Sequence, residues 1–372
     1  MSAVVDRDRH SRAYAAGQFI GGSLIVIVAI GICCALPLLP WHLARPALEF
    51  IEKHPVLDAF ARALGITVFV TLHVLFLIWY ERKFAGWMQA RLGPMHVGWK
   101  GLLQTIADAF KLLLKEDIVP RQADVPLFKV APFIAFMPTL LTFMVLPFSA
   151  RWVGSDFGLA ALFFMAVSTN VSLGVLAAGW GANNKYSLLG GARACAQALS
   201  YEIPMVMSVL CVAALTGSLS FTAIVEQQRG AWIIVSHWPV AIPTFLLYLI
   251  CAMAELNRTP LDLPEAESEL VSGFTTEYSG MRFAFFYLAE FANNFAMSAI
   301  GVTLFFGGWL GPGLPAPVWL TLKTLILVTL IMWIKWTMPR FRVDQMMGFC
   351  WKALVPISLV LLCATTLWTV NR

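Results

Sequence analysis

Apolar residues along this chain come in long runs, and polar residues gather between them. Stretches of about 18 or more apolar residues, or slightly shorter ones continued by weakly polar residues, mark membrane-crossing segments. Nine are found, near 18–40, 60–80, 130–150, 159–180, 194–216, 240–256, 281–308, 318–338 and 349–370. Backbone groups in lipid must be satisfied within their own segment, and no ten-residue alternation suggests a barrel, so each run predicts a helix. One segment follows a different period. In WKGLLQTIADAFKLLLKED, Leu102, Leu103, Ile106, Phe110, Leu113 and Leu114 recur at spacings of three and four, with Gln104, Asp108, Lys111 and Lys115 opposite. It predicts a helix lying along the surface, either at the membrane interface with snorkelling lysines or as the roof of a binding cavity. The expected fold class is an all-α polytopic membrane protein of about nine transmembrane helices plus an amphipathic surface helix.

Composition agrees: 59% of residues are hydrophobic, 13% are charged, and mean hydropathy is +0.75. The first run follows Arg7, Arg9 and Arg12, is too long for a signal-peptide core and has no A-x-A site after it, so it reads as a retained anchor. With the N-terminus inside, the inner segments are the N-terminal arm, 81–129, 182–193, 256–282 and 335–352. They hold 19 of the 26 Lys and Arg residues, as the positive-inside rule requires. The N-terminus is therefore expected to be cytoplasmic and the C-terminus periplasmic. The net charge of +5 is largely this topological signal and implies no nucleic-acid partner. Seven cysteines lie mostly within apolar runs, with no C-x-x-C and no ligand-spaced histidine, so neither zinc nor an iron–sulfur cluster is expected on this chain. Dinucleotide and P-loop glycine motifs are missing too.

Residues 1–59 are expected to form a cytoplasmic arm, the anchor helix and an outer loop, and 60–372 a membrane core with inner loops 81–129 and 256–282. The outer connection 217–239, with Trp232, His237 and Trp238, reads as an interfacial cap. His73 reads as a packing residue, and Lys323, near the outer end of its helix, as a snorkelling one.

Carboxylates are distributed unevenly. Seven of the 21 acids, Glu255, Asp262, Glu265, Glu267, Glu269, Glu277 and Glu290, fall within 255–290. Acids at a helix start account for Glu265 and Glu267. They do not account for Glu255, which ends an apolar helix, or for Glu290, well inside the next one. Glu202, just before Pro204 within the fifth run, is more unusual, since a charge at the bilayer centre costs about 2.5–3.5 kcal/mol. Such positions call for a polar or wet surrounding, and a series of them is how a proton path would be built. Glu81 and Arg82 stand where the second run ends and read as an interface anchor.

Four blocks carry a family resemblance: ERKFAGWMQARLGPMHVGWKGLLQTIADAFKLLLKED, GARACAQALSYEIP, AELNRTPLDLPEAESELVSGFTTEYSGMRFAFFYLAEFAN and PRFRVDQMM. In this order, over about residues 60–360, they resemble the H-type membrane subunits of bacterial respiratory NADH:quinone oxidoreductase (complex I), a family whose mitochondrial counterpart is NADH dehydrogenase subunit 1. The SELVSGFTTEYSG block is the most specific. The resemblance implies a subunit without a redox cofactor of its own, in the bacterial inner membrane. Flavin and iron–sulfur clusters would reside in partner subunits, with quinone as substrate. The implied partners are the peripheral-arm quinone-module subunits, the antiporter-like membrane subunits and membrane lipids. The second to sixth helices are expected to resemble half of an antiporter fold.

By the same resemblance, Glu81, Arg82, Arg91, Asp108, Arg258, Phe286 and Tyr287 belong to the membrane part of the quinone chamber. Glu202, Glu255, Asp262, Glu265, Glu267, Glu269, Glu277 and Glu290 belong to a proton path. The anchor at 1–59 is an addition that mitochondrial members lack. Two alternatives stand beside this reading: the related membrane subunit of an energy-converting hydrogenase, and a stand-alone proton-coupled transporter, which would also bury acids near broken helices.

Overall fold

A computed structural model of the chain describes residues 55–150, 153–155, 157–264 and 267–370. The expected first helix, 18–40, lies outside them. Among the described residues every regular element is helical, in line with the sequence. By internal contacts the chain divides into two compact units, Met1–Lys111 and Leu112–Arg372.

In the first unit, α1 (Pro55–Met88) is followed by a 3₁₀ turn at Trp99–Gly101 and by the start of α2 (Gln104–Leu114). The apolar run predicts an end near residue 80, but α1 continues for two more turns. KFAGWM still supplies apolar residues, and Phe84 and Ala85 are buried. The expected loop 81–129 is shortened at both ends by helix. His73 is the packing residue the sequence suggested: it is buried, with Nδ1 3.3 Å from the Phe69 carbonyl and its ring 4.0 Å from that of Phe69. The surface helix forms where the period places it, and Ile106, Phe110, Leu113 and Leu114 on its apolar face are exposed.

The second unit contains α3 (Val125–Val145), α4 (Ala160–Gly181), α5 (Lys185–Thr216), the short α6 (Phe221–Gln227) and α7 (Ile233–Ser236), then α8 (Trp238–Glu255). After the acidic segment, with its short α9 (Glu267–Leu270) and a 3₁₀ turn at Gly273–Thr275, come α10 (Gly280–Phe305) and α11 (Ala316–Thr337). The last stretch is α12 (Val343–Phe349), a π-helical turn at Cys350–Leu354 and α13 (Val355–Val370). Most of the expected inner segment 182–193 is therefore helix. Asn184 caps α5, its side chain accepting from the Tyr186 N–H, and starts the helix nine residues before the apolar run does.

Among the described residues seven helices are long and apolar enough to cross a membrane: Arg62–Met88, α3, α4, α5, α8, α11 and the continuous stretch Val343–Val370. The run 281–308, expected to be another, forms α10 but falls outside these seven. Its residues 291–305 are all buried and include Asn293 and Asn294. A helix enclosed by protein on every side need not present a lipid-compatible surface.

Helix α5 packs on α4, α8 and α13, while α10 packs on α3 and α11. Close approach depends on small residues, as membrane interfaces require. A Cβ on Gly174 would lie 2.5 Å from the Ala135 backbone nitrogen, so the α3–α4 contact is possible only with glycine there. The core joins these helices to the acidic segment through Phe128, Ala135, Val175, Phe274, Tyr278 and Phe286. Tyr278 stacks on Phe128 at 4.1 Å and donates its hydroxyl to the Phe128 carbonyl at 3.3 Å. Burial pushes its phenol upward against the lowering effect of Arg282, so it remains a donor.

Lys323 does not snorkel. It is buried, and its Nζ donates to the carbonyls of Phe306, Gly308 and Leu310 at 2.8, 3.1 and 2.7 Å, beside the Trp232 ring at 4.9 Å. The turn after α10 leaves those carbonyls without helical partners, and the ammonium satisfies them.

Candidate functional site

The site is built around the break after α8. Glu255 is the last residue of that helix, and Asn257 then takes a left-handed backbone conformation with φ of 49°. The chain folds back, and the Arg258 N–H donates to the Met253 carbonyl at 3.2 Å. This brings the Arg258 guanidinium to α10, where it pairs with Glu290 Oε1 at 3.0 Å and lies 4.7 Å from the Phe291 ring. Arg258 is 2% exposed and the Glu290 side chain 22%.

Glu255 and Glu290 both line a cavity of about 230 Å³, with Phe274, Phe286, Tyr287 and Asn293 among its other walls. Two carboxylates and two amides, those of Asn257 and Asn293, thus share a cavity with aromatic walls. This arrangement suits a ligand with an apolar body and a polar head, and it keeps two proton-exchanging groups at one place. The resemblance assigns Phe286 and Tyr287 to one role and Glu255 and Glu290 to another; they share one cavity.

Four of the remaining acids have partners on separate elements. Glu269 pairs with Arg193 at 2.5 Å and Asp262 with Arg340 at 2.9 Å. Glu277 accepts from Asn184 Nδ2 at 2.6 Å. Glu202 on α5 accepts from the Thr169 hydroxyl and stands within electrostatic reach of Glu255. Glu265 lies outside the described residues. Glu267 begins α9, and its side chain is not described. Asp262, Glu269 and Glu277 are thus held by Arg340 before α12, by Arg193 of α5 and by Asn184 at the cap of α5.

In the first unit, Glu81 is buried on α1, which does not fit an interface anchor, while the half-exposed Arg82 pairs with Asp108 at 2.5 Å. Gln104 Nε2 also donates to Asp108, at 3.3 Å. Arg91 is exposed and donates to Gln89 Oε1 at 2.6 Å. Among the described residues no three His, Cys, Asp or Glu side chains converge as metal ligands.

Several partners were missed from sequence. Arg193 lies in GARACAQALSYEIP and Arg340 in PRFRVDQMM, so both were in view, but their acids are 76 and 78 residues away. The Arg282–Asp117 pair at 2.9 Å, tying the start of α10 to the end of the surface segment, gave no local signal.

A bundle of membrane-length helices enclosing a pocket of acids and aromatics defines a polytopic membrane protein with an internal carboxylate site. The NADH dehydrogenase family model matches residues 61–366, and the chain belongs to that family. It is 49% identical over 322 residues to the H subunit of NADH-quinone oxidoreductase from Geobacillus kaustophilus, covering 84% of this chain and 95% of the relative. The protein of that name from Brevibacillus brevis is 52% identical over 291 residues, 77% and 85% of the two chains. That from Dehalococcoides mccartyi is 49% identical over 297 residues, 80% and 83%.

Proposed function

We propose that the chain is the membrane subunit of a proton-translocating NADH:quinone oxidoreductase that forms the membrane part of the quinone chamber and links quinone reduction to proton movement. The observation that carries this is the cavity where Glu255 and Glu290 meet Phe286 and Tyr287, with Arg258 bound to Glu290. The aromatic walls suit a quinone ring and tail. Arg258 is the polar group offered to its head at this cavity; the resemblance assigns Glu81, Arg82, Arg91 and Asp108, in the first unit, to the quinone chamber as well.

The chain's own contribution is electrostatic. A negative charge gained at the chamber raises the proton affinity of nearby carboxylates, so Glu255 and Glu290 take up protons together as a set. Glu202, within reach of Glu255, carries the response toward the pumping subunits. Asp262, Glu265, Glu267, Glu269 and Glu277 form the entry segment. The protein lies in the bacterial inner membrane with its N-terminus cytoplasmic and its C-terminus periplasmic, among peripheral-arm and antiporter-like subunits. Flavin and iron–sulfur clusters belong to partners.

The test is recovery of a tagged copy from native membranes in mild detergent. Co-purification with flavin and iron–sulfur proteins and NADH-driven quinone reduction is expected. Hydrogenase activity without quinone reduction, or recovery of the chain alone with neither activity, would overturn the proposal.

A further inference from the structure

Gln197 stands on α5 four residues after Arg193, which holds Glu269, and four before Tyr201, whose hydroxyl donates to the Met346 carbonyl. It is 1% exposed. Its single amide nitrogen donates to the Ala254 carbonyl and to the Leu261 carbonyl, each at 2.7 Å. Those two carbonyls lie on either side of the break after α8. Between them stand Glu255, which lines the cavity, and Arg258, which pairs with Glu290.

From these contacts we infer that Gln197 is a positioning residue for the coupling carboxylates: one side chain spans the break and fixes where Glu255 and Arg258 face the cavity. The inference rests on the role proposed for that cavity.

Three features of the geometry support it. The break contains a non-glycine residue, Asn257, in the left-handed region, a conformation that needs outside support to persist. Two bonds within the break are local, Arg258 N–H to Met253 and Leu261 N–H to Arg258, and the Pro260 carbonyl accepts from the Phe341 N–H at 3.0 Å; none of the three joins both sides of the break to another helix. Gln197 does join them to α5, the helix that also carries Glu202. Finally, Gln197 Oε1 is buried with no protein partner among the described residues. A buried acceptor without a donor is costly, so a side chain selected only to staple the backbone is poorly served by an amide here. Along an acid path, that acceptor is the half available to a water or to an acidic proton.

The experiment uses the assembled enzyme carrying Gln197→Met, which keeps the length and removes both bonds. Backbone amides of residues 256–259 and 261–263 are expected to exchange about tenfold faster, with α5 itself unchanged. Quinone reduction should lose kcat by about tenfold while KM for quinone stays within about twofold, the signature of misplaced coupling groups rather than lost substrate binding. Unchanged exchange would overturn the clamp. Faster exchange with wild-type kcat would overturn the positioning role. If the methionine variant does not assemble, Gln197→Asn, too short to reach both carbonyls, should show the same changes to a smaller extent. An assembled Asn variant with wild-type exchange and kcat would overturn the inference. Exchange reports on the clamp without reference to proton pumping, and Glu255→Gln in the same enzyme reports on the cavity: faster exchange with wild-type kcat overturns the positioning role where Glu255→Gln lowers kcat, and overturns the cavity's role where it does not.

Discussion

Replacing Arg258 by Met removes a cation from the most enclosed ion pair in the site. Arg258 is 2% exposed, its guanidinium is 3.0 Å from Glu290 and 4.7 Å from the Phe291 ring centre, and its partner keeps 22% access. Loss of one member of a fully buried pair costs about 3–5 kcal/mol, because the other is left as an uncompensated charge. Partial hydration of Glu290 recovers some of this, which leaves about 2–3 kcal/mol, or roughly 30- to 150-fold in an equilibrium between intact and opened states. The half-life of the assembled complex at a fixed elevated temperature, followed on native gels, should shorten by up to about 150-fold where opening limits dissociation. Glu290→Gln should shorten it as well by stranding Arg258. The double variant should survive longer than Arg258→Met alone, since removing both charges together is close to neutral. If the losses multiply instead, the two side chains act independently and the pairing argument is wrong.

Three further outcomes follow from the packing. Gly190→Ala places a methyl 2.9 Å from the Gly273 Cα and the Phe274 nitrogen, so the acidic segment must shift; a cost of about 1–3 kcal/mol and faster proteolysis within 266–276 are expected. Lys323→Met leaves three carbonyls, one buried and two partly buried, without their shared donor and should cost about 2 kcal/mol, read as faster exchange of the backbone amides at 306–311. Tyr278→Phe keeps the stack on Phe128 and loses one hydrogen bond, about 1 kcal/mol, whereas Tyr278→Ala should cost about 3–5 kcal/mol in the same half-life assay.

Apolar runs located helices because lipid imposes one rule on every spanning segment, and each expected run within the described residues is helical. Their ends were less legible. Glu81 and Arg82 read as loop residues because charges usually mark an exit from the bilayer, yet α1 carries them inside a helix that ends at Met88. Lys323 was misread for a related reason: position along a helix says where a side chain starts, and only the turn at 306–310 shows what it reaches. The acids themselves stood out, but their partners did not, because pairing is set by how α5, α10 and the segment before α12 come together. Glu255 and Glu290, separated in the sequence by the acidic segment, share a cavity only because Arg258 folds back onto α10.

Glu255 lines the cavity and is the group proposed to exchange protons there. The most direct measurement is NADH-driven proton uptake and quinone reduction by inverted membrane vesicles carrying Glu255→Gln in a fully assembled enzyme. A carboxamide of the same size cannot take up a proton, so both rates should fall together, by at least about tenfold. Wild-type proton translocation per NADH, at a wild-type rate, would contradict the account.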